Sequence, residues 1–282
     1  MAERTTVGEI RRVIHEAYPP ELAESWDAVG LVCGDPHAEV STVAFALDCT
    51  QEVADKAVEL GAQMLIVHHP LLMRGVTSVA ADTPKGKVIH TLICNGVALL
   101  SAHTNADKAR PGVNDKLAEL VGIKPGRPIV PVEPYDNLDE ALGLGRIGEL
   151  PEAITLREFT QRVAEALPKT EWGVRAAGDP ERMVKRVAVS SGSGDSFLDK
   201  AAALGVDVYV TSDLRHHPVD EHLRAAHLMD PEGPAVVDTA HWASEFPWTA
   251  QARDIVESVL RVKTEIIDLR TDPWTISAQK EN

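Results

Sequence analysis

The 282-residue sequence is 44% hydrophobic, enough for a packed core, and sets 28 basic against 43 acidic side chains for a formal net charge of −15. Such a field repels phosphate backbones, which argues against nucleic acid as a partner. No apolar signal core opens the chain and no run approaches the roughly 20 apolar residues of a membrane helix, so a cytoplasmic protein without membrane contact is expected.

In chain order, Thr6 and Glu9 have capping-box spacing ahead of an apolar stripe (Val7, Ile10, Val13, Ile14), which predicts a helix over 6–17. VAFALD (43–48) reads as a buried strand, and Thr50 then caps a helix that Gly61 stops. AQMLIV (62–67) is the next strand and runs into His68, His69 and Pro70. A helix over GKVIHTLICNG, a strand over 97–103 and a helix over about 112–121 follow. This alternation predicts a largely parallel sheet flanked by helices, with functional groups at the carboxyl ends of the strands. The Pro- and Gly-rich stretch 124–182 reads as a junction, with a strand at GRIGEL (145–150) and a helix from Thr155 with capping-box residue Glu158. The three cysteines, Cys33, Cys49 and Cys94, lie in apolar stretches without CxxC spacing and are expected as buried free thiols.

From 184 the chain repeats itself. The segment starting at Val40 lies over the segment starting at Val184, an offset of 144, so His68-His69 falls on Ser212-Asp213. A second block, at an offset of 138, lays Ala102-His103-xxx-Asp107 over Ala240-His241-xxx-Glu245. A period this long points to duplication of a whole lobe. The predicted fold is α/β, with two βα lobes, 1–126 and 127–282, related by a pseudo-twofold axis that gathers both His-x3-acid motifs in one cleft. His, Asp and Glu without Cys form the ligand set of Zn, Fe(II) or Mn. Adjacent side chains on an extended segment point apart, so His68 and His69 suit two ions unless the chain bends sharply. Asp107 has two oxygens with which to bridge, and His241 and Glu245 share a face if their segment is helical. Two divalent ions and two carboxylates leave a residual positive charge that attracts an anionic substrate.

Other motifs leave alternatives open. His103 is either a further ligand or a group that orients one. His216 and His217 are either an exposed pair at the start of the next helix or residues lining the cleft. SSGSGDS (190–196) is either a phosphate cradle or a flexible turn, and no GxSxG elbow supports Ser190 or Ser191 as nucleophile.

WDAVGLVCGDP (26–36), VHHPLL (67–72), SAHTNAD (101–107), GLGRIGEL (143–150), TSD-xx-HH (211–217) and AHWASE (240–245) occur in an order that resembles the Nif-three-like dinuclear-metal-centre proteins, the GTP cyclohydrolase I type 2 homologues. The resemblance covers nearly the whole chain. It implies a duplicated α/β fold, a toroidal homohexamer, and two divalent ions held by His68, His69, Asp107, His241 and Glu245. It also implies a metal-dependent hydrolase acting on GTP or a related nucleotide, with His103 and His217 as candidate catalytic proton shuttles; a phosphoesterase is a close variant. A non-catalytic metal-binding or regulatory assembly is the competing class. Ala240 and Trp242 stand where the family usually has Gly and Tyr, which leaves the ligands intact and alters the surroundings. The 124–182 segment is too short for the extra domain that some relatives insert.

Overall fold

The computed structural model describes residues 5–229 and 232–278. The chain begins α1 (Val7–Ala17), β1 (Gly30–Cys33), β2 (Thr42–Ala46), α2 (Gln51–Glu59), β3 (Met64–Val67), α3 (Pro84–Cys94), β4 (Ala98–Ser101) and α4 (Thr104–Lys108). It continues α5 (Val113–Leu120), β5 (Val130–Pro131), β6 (Gly143–Leu144), β7 (Arg146–Thr155), α6 (Leu156–Ala166), β8 (Val174–Ala177), β9 (Met183–Ser193), α7 (Leu198–Ala203), β10 (Val208–Ser212), α8 (His216–Ala226), β11 (Ala235–Thr239) and α9 (His241–Glu245). It closes with α10 (Trp248–Val259) and β12 (Lys263–Ile266).

Two compact units result: Met1–Gly112 with Trp248–Thr271, and Val113–Pro247 with Asp272–Asn282. They are not the contiguous halves expected from the repeat. The reason is β12, which pairs in parallel with β2 and carries α10 back into the first unit.

The first unit is built on a sheet of order β1-β4-β3-β2-β12. Its inner strands are apolar runs buried along their whole length, because helices cover both faces. Alternation decides which residue meets which helix. Ala44, Ala46, Leu65, Val67 and Leu99 cluster with Val53, Ala57, Ile89 and Leu92 of α2 and α3, while α10 packs on β2 and α1 on α10. Thr6 and Glu9 form the reciprocal cap expected at α1.

The second unit has a sheet of order β7-β9-β10-β11-β8. Its β9, β10 and β11 run parallel in the same order as β2, β3 and β4. The register also repeats: Val43 stands opposite Met64 and Val187 opposite Val208, both at the offset of 144. An antiparallel strand flanks the same side of each set, β1 on β4 and β8 on β11. The GRIGEL strand is longer than expected and bulged, pairing antiparallel with β9. Its Arg146 is fully buried in a bidentate pair with Asp115 (2.8 and 2.8 Å), and its two Nη1 N–H groups reach the Gly143 and Gly145 carbonyls. At α6, Thr155 accepts from the Glu158 N–H, but the Glu158 carboxylate turns to Arg162, 2.6 Å away, so the reciprocal half of the box is missing.

Only Cys49 is fully buried among the cysteines; Cys33 is half-buried and Cys94 exposed. Cys94 falls off the buried stripe of α3, Val88, Ile89 and Leu92. Among the described residues no helix is long and apolar enough to cross a membrane.

Candidate metal centre

In the first unit, His68 and His69 follow β3 at its carboxyl end. Both of their N–H groups donate to the Leu47 carbonyl, at 3.1 and 3.0 Å. Sharing one acceptor bends the chain there, so the two rings do not alternate across an extended segment; their centroids lie 5.1 Å apart. His68 is completely buried, and its Nδ1 lies 2.8 Å from the Ala102 carbonyl. A carbonyl only accepts, so the proton sits on Nδ1 and Nε2 carries the lone pair that binds a metal. His69 Nδ1 lies 2.7 Å from Asp48 Oδ1, and Thr271 donates to the other oxygen of Asp48.

His103 follows β4 and precedes α4. Its Nδ1 lies 2.9 Å from Asp27 Oδ1, while the Thr104 N–H and hydroxyl donate to Asp27 Oδ2. Burial alone would raise the Asp27 carboxyl. The hydrogen bonds from His103 and Thr104 outweigh it and hold that carboxyl well below its usual range, so Asp27 stays an anion behind His103. Donor atoms of His68, His69 and His103 all lie within 4.8 Å of one another. Asp107, on the short helix α4, brings Oδ1 to 3.7 Å from His68 Nε2.

In the second unit, β11 ends at Thr239 and α9 opens on His241, so the i, i+4 spacing puts His241 and Glu245 on one helical face. His241 Nε2 lies 3.0 Å from Glu245 Oε2, and its Nδ1 lies 2.7 Å from Asp213 Oδ2. Glu245 is 4% exposed, and this buried charge, helped by Asp213, pushes His241 up to about 11 against the opposing effect of burial. Either a proton or a divalent cation would supply the positive charge that this buried carboxylate favours. Asp213 holds its ring from a left-handed backbone (φ 57°), sparsely populated by non-glycine residues.

Gly192, at φ +60°, lets the end of β9 approach this pair. A Cβ there would meet Glu245 Oε1 at 2.3 Å and His241 Nε2 at 3.2 Å. The Ser191 and Gly192 N–H groups donate inward, to Asn114 Oδ1 and Ser244 Oγ. The SSGSGDS stretch is therefore strand end and backing for Glu245, with those N–H groups committed, not a phosphate cradle. His216 and His217 are both exposed at the start of α8, stacked edge to face at 5.1 Å, outside the clustered donor sets found among the described residues.

Imidazole and carboxylate donors with their tautomers set by oxygen acceptors fit a divalent transition metal. Strand ends of this kind define an α/β protein able to hold such an ion. The chain belongs to the Duf34/NIF3 (NGG1p interacting factor 3) family, whose sequence profile matches residues 5–273. It is 49% identical over 274 residues to a Streptomyces coelicolor protein named GTP cyclohydrolase 1 type 2 homolog, covering 95% of this chain and 93% of that protein. A Mycobacterium tuberculosis protein of the same name is 37% identical, covering 96% and 97% of the two chains. That alignment spans 374 positions against 282 residues here, so the mycobacterial relative carries long insertions that this chain lacks. The crystal structure of a Bacillus cereus protein related to NIF3 superposes with a TM-score of 0.85 at 27% identity, covering 98% of this chain and all of that one.

Sequence reasoning did not pick out Asp27, Asp48 and Gly192. Asp27 lies inside the WDAVGLV motif and Asp48 directly follows the apolar strand run, the only signals they give. Asp213 had a clearer one, since the repeat lays it over His69.

Proposed function

We propose that this chain is a metal-dependent hydrolase with a dinuclear centre whose ligands are His68, His69, Asp107, His241 and Glu245. The observation that carries this reading is shared by the four histidines at the strand ends, His68, His69, His103 and His241. Each has its Nδ1 engaged by an oxygen acceptor, which would make Nε2 the metal-binding nitrogen.

When bound, two divalent ions would lower the pKa of water and polarise a substrate oxygen. The chain's own residues do the rest. Asp107 and Glu245 offset part of the added charge and leave a residual attraction for an anion. That points to a nucleotide or another phosphorylated small molecule, in keeping with the name carried by the Streptomyces relative, GTP cyclohydrolase 1 type 2 homolog. His103, set beside His68 and His69 with Asp27 fixing its ring, is better placed than exposed His217 to move a proton. A homohexamer is the expected assembly.

The test is metal analysis of the purified protein, followed by turnover of a panel of nucleotides and phosphoesters with the metal found. Close to two ions per chain and hydrolysis of one panel member are expected. Two ions with no turnover would leave the non-catalytic assembly as the better account.

A further inference from the structure

We infer that a cavity at the edge of the second unit's sheet binds an α-amino acid with an aliphatic side chain, with Arg175 receiving its carboxylate and Asp238 its ammonium. None of the lining residues belongs to the proposed metal centre, so the inference stands or falls apart from that reading.

The cavity, about 370 Å³, lies between β8, β11 and α8. That volume falls within the range of roughly 300–1,000 Å³ usual for small-molecule sites. Pairing of the edge strand β8 with β11 sets Ala177 opposite Val236 and Arg175 opposite Asp238, and alternation puts all four on one face of the sheet. From α8, Val219 and Leu223 stand one turn apart and line the same cavity, and Leu214 adds to the apolar wall. A side chain no larger than alanine at 177 leaves the space beneath α8 open.

Beside this apolar lining a positive and a negative group stand together. Asp238 is 5% exposed, whereas the Arg175 side chain is largely exposed. Arg175 Nε donates to Asp238 Oδ2 at 2.8 Å, and the Trp172 indole N–H donates to the same oxygen at 3.2 Å. Among the described residues, Asp238 Oδ1 receives only the Leu214 N–H, at 3.5 Å, so lone pairs remain for a further donor. The Arg175 guanidinium lies over the Trp172 ring, 4.5 Å from its centroid, and its two terminal nitrogens make no hydrogen bond among the described residues. Other charges lining the cavity are committed, Arg215 to Asp195 at 2.6 Å and Asp220 to Arg224 at 2.9 Å. Burial raises the Asp238 carboxyl even with Arg175 beside it, so this carboxylate gains from a second cation. An α-amino acid carries an ammonium and a carboxylate on one carbon, the complement of the Asp238–Arg175 pair. Its aliphatic side chain would cover Leu214, Val219, Leu223 and Val236.

The experiment is isothermal titration calorimetry of the purified protein with L-valine, L-leucine and L-isoleucine, repeated after treatment with a chelator. At least one of the three should bind at one site per chain, with the same affinity after chelation. Analogues of that ligand lacking the α-ammonium or the α-carboxylate should bind at least about tenfold more weakly, because each leaves a charged group of the site without its partner. Glycine, which has no side chain to cover the apolar wall, should lose as much. Arg175→Gln removes the cation, and Ala177→Leu fills the cavity while leaving the charged pair intact; each should weaken binding at least about tenfold. If Arg175→Gln folds poorly, Ala177→Leu and the analogue series decide. Binding of none of the three, unchanged binding in a folded Ala177→Leu protein, or binding lost on chelation would overturn the inference. So would an analogue without the ammonium that binds as tightly as its parent, which would make the ligand a simple carboxylate and leave Asp238 out of the site.

Discussion

Gly192→Ala separates backbone strain from damage to the His241–Glu245 pair, because the same unit supplies its own control. Gly192 and Gly205 have nearly the same backbone, φ +60° and φ +63°, but a Cβ on Gly205 meets nothing within 4 Å. Alanine at either position costs about 1–2 kcal/mol for the left-handed conformation. At Gly192 the methyl also stands 2.3 Å from Glu245 Oε1. Reaching an ordinary carbon–oxygen contact moves that carboxylate by about 1 Å, more than the tolerance of roughly 0.5 Å within which a metal-site residue keeps its function. In urea unfolding of the apoproteins, Gly205→Ala should show the strain alone, and Gly192→Ala the strain plus the displaced pair. In chelator competition, Gly205→Ala should bind metal like wild type, and Gly192→Ala should bind the ion held by Glu245 about 10–100-fold more weakly. Wild-type metal affinity in Gly192→Ala would refute the argument that this glycine exists to make room for Glu245.

Asp115→Ala should destabilise the protein by about 3–5 kcal/mol in urea unfolding, because it strands the completely buried Arg146 guanidinium; a loss under 1 kcal/mol would show that water reaches it. Glu245→Gln should lower metal content and nearly abolish any hydrolysis, whereas His217→Ala should retain metal; equal metal loss in both, by elemental analysis, would count against the ligand assignment. Light scattering should give a particle several times the 30.5 kDa chain mass, with six chains expected and a monomer at micromolar concentration excluding the assembly. Burial, with smaller contributions from Cys33 and Asp48, pushes the Cys49 thiol up to about 12 from 9.0. Because its thiolate is disfavoured only in the folded state, the linked stability is full below pH 9 and is lost as pH rises from there towards 12. Alkylation at pH 8 should therefore label exposed Cys94 and spare Cys49 until the protein unfolds.

The parallel cores were legible in the sequence because strands buried on both faces must be continuous apolar runs, as Met64–Val67 and Ala98–Ser101 are. The flanking strands β1, β8 and β12 were not. Each is four residues long and mostly half-exposed, so neither a run nor a clean alternation marks it. The return of β12 to β2 depends on a pairing across more than 200 residues, which no local pattern encodes. At the site, the histidines stood out by their chemistry and by the repeat. The carboxylates that orient them did not, since Asp27 and Asp48 are two ordinary acids among 43 until the fold sets them behind a ring.

That late pairing also sets a schedule for biosynthesis. The residues of β12 leave the ribosome only after the whole span from Val113 to Pro247, so β2, buried along all five of its residues in the finished sheet, waits with one edge bare while that span is made. The segment that is second in sequence can thus settle before the first is finished. A chain cut short after α10 would expose an apolar strand edge open to pairing with other chains, which makes premature termination there a route to aggregation.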